Sequence, residues 1–319
     1  MEKETINIYY HTDFDGILSA VLVSAYLKGL GYKTKICAPL EISTKDEMLG
    51  LKFKKPFAIV DFPYNEKAFV YFDHHGSSKP EKISRETKYW AFDDKSKSCA
   101  HIIFNLLSKD EKNKFDTLIR WCDIVDSASY VEEDIPVKEI LFPTEPVLIL
   151  SRSLELAKKN LDANFWNSIV EKLIENQNIN ELIRDKKIQE YYKIALENQK
   201  EAMTALKENS EYDSKKRIVV YDTTNKKWSR FGLALIYPES VIWLGLRTVI
   251  QGFVDISMGQ NPWNPKSKIA LEKIHVGEIL KKYGGGGHKD VGSARFDLYE
   301  KAKKALDQIK KEIEEKIII

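Results

Sequence analysis

The sequence has no long apolar run, no closely spaced cysteine pair and no large excess of charge. No stretch approaches the roughly 18 apolar residues that a membrane helix requires, so we expect no membrane-spanning segment. The three cysteines, Cys37, Cys99 and Cys122, form no CxxC pair, which argues against a disulfide framework and a cysteine-based zinc site. A net charge of +2 indicates no global basic surface for long nucleic acid.

The length, the composition and the first residues indicate the expected class of protein. At about 100–200 residues per domain, a chain of 319 residues suits two domains. Its composition, 43% hydrophobic and 31% charged, is typical of a globular chain. The first residues are charged and lead into no apolar segment of the kind that a secretory signal carries, so we expect a cytoplasmic protein.

The order of strand and helix signals predicts an α/β fold class. In the first third, strands are predicted at 6–10, 33–40, 57–60 and 69–72, and helices at 16–30, 96–107 and 111–125. Strands that alternate with helices form parallel sheets, so this part is expected to contain one.

The rest of the chain is predicted to form a helical connector and a smaller α/β domain. Residues from about 145 to 209 are interpreted as almost entirely helical, with 178–209 as one long connecting helix. Beyond them, strands are predicted at 218–221, 233–237, 241–246, 253–257 and 293–298, and helices at 274–283 and 299–316. The expected domains are therefore 1–145, the connector 146–214, and 215–319.

Acidic and histidine residues follow three of the predicted strands. Residues 11–16 (HTDFDG) follow the first strand, Asp61 follows the strand at 57–60, and residues 73–75 (DHH) follow the strand at 69–72. Ligands bind outside the carboxyl ends of the strands in open parallel sheets, so we expect these side chains to meet at one edge. Converging carboxylates repel one another, and one or two divalent cations remove that repulsion.

These ligand types suit Mn²⁺, Fe²⁺ or Mg²⁺ better than structural zinc, because they combine imidazole and carboxylate without thiolate. Two such ions about 3.5–4 Å apart can hold a phosphate and activate a water. Each motif alone has a simpler explanation, since residues 11–16 could cap a helix and Asp61 could lie in a turn. Two adjacent histidines could equally belong to the core or the surface. The convergence of all three motifs favours a metal site.

The motifs together resemble the DHH phosphoesterase superfamily. They occur in its order, and residues 284–288 (GGGGH) resemble its DHH-associated C-terminal domain, so the resemblance covers essentially the whole chain. It implies an N-terminal parallel-sheet DHH domain, a helical connector and a smaller substrate-binding α/β domain. It also implies hydrolysis of phosphoester or phosphoanhydride bonds with two divalent ions, for which Mn²⁺ is expected and Mg²⁺ or Fe²⁺ are the alternatives.

The resemblance assigns the metal ligands. Asp13 and Asp15 would each bind a different ion, Asp61 would bridge the two ions, and His74 would also bind. His11 is a further candidate. Many relatives place the first ligating histidine four residues before the first aspartate, whereas His11 lies two before it. His11 could therefore be a ligand, an outer-shell residue or the end of the strand.

The resemblance also implies supporting and catalytic residues. Asp73 would support the ligand shell, and His75 would contact the scissile phosphate. A further family motif supplies one aspartate from a helix end, for which Asp123 and Asp126 in residues 121–127 (WCDIVDS) are the candidates. We favour Asp123, because a short apolar helix followed by Asp and two aliphatic residues resembles the family's form. Asp126 could instead cap the next segment.

The glycine-rich motif is the candidate substrate-binding element of the C-terminal domain. Four successive glycines cost conformational entropy unless a tight turn or a function needs them, and a helix C-cap explains only one. The resemblance implies that Gly285, Gly286, Gly287 and His288 bind the part of the substrate that is not cleaved. Arg295 could pair with a phosphate or form a buried salt bridge.

Two further features concern the substrate. Three tryptophans, Trp228, Trp243 and Trp263, could stack on bases. Trp243 lies in an apolar strand and is expected in the core. Trp263, in residues 261–265 (NPWNP), is expected in a loop, available for base stacking or an interface. Many nucleotide-cleaving relatives carry an Arg-Ser pair where this chain has residues 255–260 (DISMGQ), so their particular substrate preference does not transfer.

The leading hypothesis is a two-metal phosphodiesterase that hydrolyses short oligonucleotides or small dinucleotides, including cyclic ones. A nucleotide phosphatase or a pyrophosphatase would use the same site. A non-catalytic nucleotide- or nucleic-acid-binding protein is expected to lose carboxylates that this chain retains, and a structural metal site would have a closed set of four ligands. The expected partners are a short nucleic acid or nucleotide and a second copy of the chain, with no membrane.

Overall fold

The computed structural model describes residues 4–41, 51–76, 89–158 and 162–316. The chain forms two compact units, Met1–Asp134 with Thr144–Ala195, and Ile135–Pro143 with Leu196–Ile319. Each unit has its own β-sheet and its own apolar core. The predicted α/β class, with a parallel sheet in the first part of the chain, is confirmed, and the second sheet is mixed.

The first unit is built on a parallel sheet. Its strands are β1 (Thr5–His11), β2 (Lys33–Leu40), β3 (Phe57–Val60), β4 (Val70–Asp73) and β5 (Trp90–Phe92). They lie in the order β2-β1-β3-β4-β5. β3 and β4 are buried along their whole length, as short apolar strands covered on both faces should be. Because neighbouring strands are parallel, the C-terminal ends of β1, β3 and β4 share one edge.

Eight helices are described before the second sheet. They are α1 (Phe14–Gly29), α2 (Cys99–Asn105), α3 (Lys109–Asp126), α4 (Val137–Leu141), α5 (Pro146–Ala157), α6 (Ala163–Glu175), α7 (Ile179–Leu182) and α8 (Lys186–Glu208). Of these, α4 and the part of α8 after Ala195 belong to the second unit. α1 is buried along most of its length, so its sequence is apolar on nearly every side. Among the helices in the described ranges, none is long and apolar enough to cross a membrane.

The prediction of a single helix over 178–209 is wrong, because the helical structure is interrupted between α7 and α8. The side chain of Asp185 accepts hydrogen bonds from the backbone N–H groups of Lys187 (2.9 Å) and Ile188 (3.4 Å). An aspartate in this position starts a new helix by satisfying its first donors. Helices α5 and α6 contribute to the core of the first unit. The predicted domain boundaries stay a prediction.

The second unit has a mixed sheet. Its strands are β6 (Ser210–Asp213), β7 (Ile218–Thr223), β8 (Ile242–Arg247), β9 (Val254–Gln260), β10 (Gly286–Gly287) and β11 (Val291–Phe296), in the order β10-β11-β9-β8-β7-β6. β7 and β8 are parallel and the other neighbours antiparallel. Its later helices are α9 (Gly232–Ile236), α10 (Lys266–Leu271), α11 (Val276–Lys281) and α12 (Tyr299–Lys316).

The predicted strand at 233–237 is wrong, because these residues form helix α9. A short apolar run carries too little periodicity to distinguish a strand from a buried helix. Leu233 packs in a cluster with Trp243, which is in the core as predicted. Trp263 is held within the same unit, since its indole N–H donates to the carbonyl of Ile135 at 3.0 Å and its ring packs against Phe231 at 5.1 Å.

Two glycines on neighbouring strands give a stability test. A Cβ atom at Gly245 would lie 2.4 Å from the ring and carbonyl oxygen of Tyr221, whereas one at Gly259 would meet nothing closer than Val291 at 3.7 Å. We expect Gly245→Ala to lower the free energy of unfolding by about 1–3 kcal/mol through overpacking. Gly259→Ala should change it by less than about 0.5 kcal/mol. Urea unfolding followed by circular dichroism measures both, and equal effects would contradict the packing at Gly245.

Candidate metal centre

The motif at the end of β1 both starts α1 and presents carboxylates. Asp13 is the N-cap of α1, and its Oδ1 accepts a hydrogen bond from the backbone N–H of Gly16 at 2.9 Å. A Cβ atom at Gly16 would lie 2.2 Å from the carbonyl oxygen of His11, so glycine lets the helix begin this close to the strand. The second oxygen of Asp13 lies 2.6 Å from His11 Nδ1. The capping and ligand roles are therefore compatible.

Asp61 joins the strand-end motifs. Its φ of 56° lies in the left-handed region, which aspartate tolerates better than most residues other than glycine. The side chain is buried, with Oδ2 3.3 Å from His11 Nδ1 and Oδ1 3.8 Å from His74 Nε2. Oδ1 also lies 3.5 Å from His75 Nδ1. Asp61 thus lies where a bridging carboxylate would be needed.

His74 is oriented by the backbone. Its Nδ1 lies 3.2 Å from the carbonyl oxygen of Ser96, which can only accept, so Nδ1 is the donor of this contact and Nε2 faces the carboxylates. Nε2 lies 3.5 Å from Asp15 Oδ2 and 3.3 Å from Asp126 Oδ2. Metal-binding histidines typically donate their other ring N–H to a carbonyl or carboxylate in this way.

Asp73 holds His75. Its Oδ1 accepts hydrogen bonds from the backbone N–H groups of His74 (2.8 Å) and His75 (3.2 Å), and it lies 2.8 Å from His75 Nδ1. Oδ2 accepts from the hydroxyl of Tyr71 at 3.1 Å. The hydrogen bond with Asp73 is the main cause that raises the pKa of His75 above its ordinary value. This geometry fits the supporting role predicted for Asp73.

Asp15 is fixed by the start of α2. Its Oδ2 accepts from the backbone N–H of Cys99 (2.7 Å) and its Oδ1 from that of Ala100 (2.8 Å). These donors lie just after Ser98, the N-cap, at the end of the helix that favours negative charge. Sequence analysis missed this contact. A serine before a helix is a local start signal, but nothing local shows that the N–H of Cys99, the first residue of this helix, faces a carboxylate 84 residues away.

The structure places Asp126, not Asp123, close to the other candidate ligands, whereas the sequence favoured Asp123. Asp126 ends α3, and its Oδ2 is within 3.3 Å of His74. Asp123 lies one turn earlier, beside the start of α2. Its oxygens contact the hydroxyl of Ser98 at 2.6 Å and Nδ1 of His101 at 2.7 Å. These two partners hold Asp123 away from the strand-end edge.

Three groups of side chains could each hold an ion, with their ligand atoms within 4.8 Å of one another. They are His11, Asp13 and Asp61; Asp61, His74 and His75; and Asp15, His74 and Asp126. Within the described ranges, His11 Nδ1, His74 Nε2 and both oxygens of Asp61 are buried without a hydrogen-bond partner. His11 Nδ1 lies within ion-pair distance of two carboxylate oxygens, Asp13 Oδ2 at 2.6 Å and Asp61 Oδ2 at 3.3 Å. Buried polar atoms normally have partners, so these residues fit divalent cations.

The pKa values of the carboxylates also indicate that the cluster lacks a positive charge to balance its negative charges. Burial, and then the charges of neighbouring aspartates, raise the pKa of Asp61 well above its ordinary value and that of Asp126 to about 8. Burial acts in the same direction on Asp13, but His11, the N–H of Gly16 and the charge of Lys158 outweigh it and lower its pKa. The protein alone therefore stabilises the anionic form of Asp13, whereas it disfavours the anionic forms of Asp61 and Asp126.

Solved structures share this architecture. The chain is similar to PggH from Vibrio cholerae, described as a pGpG-specific phosphodiesterase, with a TM-score of 0.73 and 18% identity over 98% of this chain and 99% of that one. It is also similar to a DHH domain described as a member of the S1p family of ribosomal proteins, with a TM-score of 0.58 and 12% identity over 96% and 86% of the chains. The chain has the DHH fold.

A third structure with this fold is the exonuclease RecJ bound to manganese. Its TM-score is 0.52 and its identity 12%, over 97% of this chain and 90% of that one. No family model and no curated protein matches the sequence. The recognition of the DHH fold from short motifs is therefore confirmed by structural similarity.

In the second unit, part of the glycine motif serves packing. A Cβ atom would lie 2.2 Å from the carbonyl oxygen of Ser293 if added at Gly285, and 2.3 Å from that of Val291 if added at Gly287. A Cβ at Gly286 would meet nothing within 4 Å. The backbone of His288 pairs with β11, and its side chain is exposed. Substrate binding by these residues stays a prediction.

Arg295 makes a bidentate ion pair with Asp255. Its Nε lies 2.8 Å from Oδ1 and its Nη2 3.0 Å from Oδ2. The carboxylate is buried, but the arginine side chain is 46% exposed, so the pair is half-buried rather than fully buried. Elsewhere on this sheet, the guanidinium of Arg247 stacks 4.2 Å from the ring of Trp228.

The two helix-end aspartates can be separated by metal binding. Asp126→Asn should weaken Mn²⁺ binding by more than the roughly 10–100-fold that is typical of outer-shell changes, because it removes a ligand. Asp123→Asn should stay within that range, because Asp123 acts through Ser98. Calorimetric titration measures both affinities. Asp116→Asn, exposed on the same helix, is the control, and a larger loss for Asp123→Asn than for Asp126→Asn would contradict the assignment.

The raised pKa of Asp126, to about 8, predicts a pH dependence of stability without metal. The folded chain keeps a proton on Asp126 that the unfolded chain has lost above about pH 4, so stability falls as the pH rises towards 8. In chelator, we expect the urea midpoint to decrease between pH 5 and pH 9. Saturating Mn²⁺ should abolish the decrease, and Asp126→Asn should reduce it. A midpoint in chelator that does not change with pH would refute this view of the cluster.

Proposed function

We propose that this chain is a metal-dependent phosphodiesterase that hydrolyses short oligonucleotides or small dinucleotides. The observation that carries the proposal is the cluster of buried, unpartnered ligand atoms of His11, Asp61 and His74 at one edge of the sheet. A purely structural metal site would be closed by four ligands, whereas this cluster is larger and more acidic. The similarity to PggH and to RecJ supports the reaction class.

The proposed metal residues form two neighbouring groups. His11, Asp13 and Asp61 would hold one ion, and Asp15, His74 and Asp126 would hold the other. Asp61 Oδ1 lies 3.8 Å from His74 Nε2, so Asp61 would bridge the two groups. When bound, two divalent ions would neutralise the substrate phosphate and activate a water. We propose Mn²⁺ as the metal, as in the RecJ structure, with Mg²⁺ or Fe²⁺ as alternatives.

His75 is the proposed proton donor. Its Nδ1 is held by Asp73, and its raised pKa favours a second proton at Nε2. The side chain is 44% exposed, so a substrate can reach it. A proton at Nε2 can hydrogen-bond a phosphate oxygen or pass to the leaving oxygen, which is general acid catalysis.

The substrate proposed first is a linear dinucleotide such as pGpG, because PggH is described as specific for it. Cyclic dinucleotides, mononucleotides and pyrophosphate are the alternatives. The expected cytoplasmic location and homodimer stay predictions.

The test is hydrolysis with Mn²⁺ and then with chelator. The panel is pGpG, a five-nucleotide RNA, a cyclic dinucleotide, 3′,5′-bisphosphorylated adenosine, pyrophosphate and a long single-stranded DNA. We expect metal-dependent cleavage of the short nucleotides, reduced to background by Asp61→Asn and lowered by about 10²–10⁴-fold by His75→Asn. Asp116→Asn should behave as wild type. Binding without turnover of any member would replace the proposal with a non-catalytic binding protein.

A further inference from the structure

The side-chain position of Asp15 depends on the start of α2. Its oxygens accept hydrogen bonds from the backbone N–H groups of Cys99 (2.7 Å) and Ala100 (2.8 Å), the first residues of that helix. The oxygen bonded to Cys99 is also the one that lies 3.5 Å from His74 Nε2. A displacement of the start of α2 would therefore move an oxygen that is a candidate metal ligand.

The start of α2 is capped by the hydroxyl of Ser98. Its Oγ accepts a hydrogen bond from the backbone N–H of His101 at 3.1 Å and donates its own proton to Asp123 Oδ1 at 2.6 Å. A carboxylate oxygen can only accept, so Asp123 fixes the direction of the hydroxyl proton and leaves the lone pairs of Oγ for the helix. Asp123 thus orients Ser98 in the way that an N-cap requires.

The side chain of His101 binds the other oxygen of the same carboxylate. Its Nδ1 lies 2.7 Å from Asp123 Oδ2 and is the donor of this contact, because the carboxylate can only accept. His101 is the third residue of α2, whereas Asp123 lies one turn before the end of α3. One buried carboxylate therefore joins the two helices through both of its oxygens.

These contacts lead from the protein surface to the metal centre. The side chain of His101 is 41% exposed, Asp123 is buried, and the N–H groups beyond Ser98 bind Asp15. His101 belongs to none of the motifs that the sequence analysis singled out. A lone histidine within a predicted helix carries no local signal of a partner, and this partner lies 22 residues away.

The contact between His101 and Asp123 also balances charge near the acidic cluster. The hydrogen bond with Asp123 is the main cause that raises the pKa of His101, while burial and the charges of Lys97 and Lys112 act in the opposite direction. A raised pKa favours the imidazolium form, whose charge matches that of the carboxylate. The charge of Asp123 is one of those that raise the pKa of Asp126, so His101 reduces the negative charge that acts on a candidate ligand.

We propose that His101, acting through Asp123, is a positioning residue of the metal centre. Together they orient Ser98, and Ser98 in turn holds the first N–H groups of α2 where they bind Asp15. Neither side chain touches the ion or the substrate in this role. The inference rests on the proposed function, because it takes Asp15 as a metal ligand.

The binding test is calorimetric titration of the whole chain with Mn²⁺. His101→Leu should weaken binding by about tenfold, the lower end of the range that is typical of outer-shell residues, because it acts through other residues. His101→Asn should retain most of the affinity, because its amide N–H can still donate to Asp123. Asn105→Leu, exposed at the other end of α2, is the control and should bind as wild type. Equal affinities for His101→Leu and the wild type would overturn the proposal.

A double variant tests whether His101 acts through Asp123. If both residues act through Ser98, His101→Leu combined with Asp123→Asn should lose no more affinity than the weaker-binding single variant. Residues that share one hydrogen-bonded network are not additive in this way. Losses that multiply would show two independent effects and would contradict the proposed connection.

Two further readouts separate positioning from a role in stability alone. The Mn²⁺ concentration that gives half-maximal hydrolysis should rise for His101→Leu by about the same factor as the affinity falls, with kcat at saturating Mn²⁺ nearly unchanged. Urea unfolding in chelator gives the stability of the same variant. A lower urea midpoint with an unchanged affinity for Mn²⁺ would assign His101 to stability and overturn the positioning role.

Metal binding also distinguishes this inference from the proposed function. An affinity for Mn²⁺ that depends on His101 and is restored by asparagine supports the positioning role even if the chain hydrolyses no member of the panel, in which case only the proposed function fails. Metal-dependent hydrolysis by the wild type, with an unchanged Mn²⁺ affinity in His101→Leu, would support the proposed function and overturn the positioning role.

Discussion

Mutual repulsion between carboxylates is the constraint on which the first unit depends. The parallel sheet brings the ends of β1, β3 and β4 to one edge, and each end carries at least one aspartate. Asp61 is buried, and the charges of Asp13, Asp15 and Asp126 all act against its ionisation. Without cations, the repulsion favours the protonated form of Asp61. Two divalent ions would instead neutralise the negative charge of the carboxylates, and their positive charge would also attract a phosphate.

The start of α2 connects both sides of this centre. Its first N–H groups hold Asp15, while the serine just before it, Ser98, bonds to Asp123 of α3. The hydroxyl of Ser96 donates to the carbonyl of Ser98, and the carbonyl of Ser96 orients His74. Two candidate ligands from different strand ends therefore depend on one short stretch of backbone, although that stretch contributes no ligand itself.

Short motifs made the fold and the strand-end residues predictable, because a strand end fixes where its next residues lie. The edge that gathers residues 11–16, Asp61 and His74 follows from parallel pairing alone. The sequence could not predict which helix-end aspartate lies near the other candidate ligands. The choice between Asp123 and Asp126 depends on the position of α2, which contacts Asp123. Helix α9 shows that a short apolar run does not distinguish a strand from a buried helix.

The left-handed backbone of Asp61 has a consequence for how this centre can be altered. At a φ of 56°, asparagine and aspartate are tolerated, whereas a residue such as alanine or valine strains the end of β3. Asparagine therefore changes only the charge at this position, while alanine also changes the conformational preference of the turn. The set of side chains that fit the turn is narrow even before any chemistry is required, so the backbone and the ligand requirement select the same residue independently.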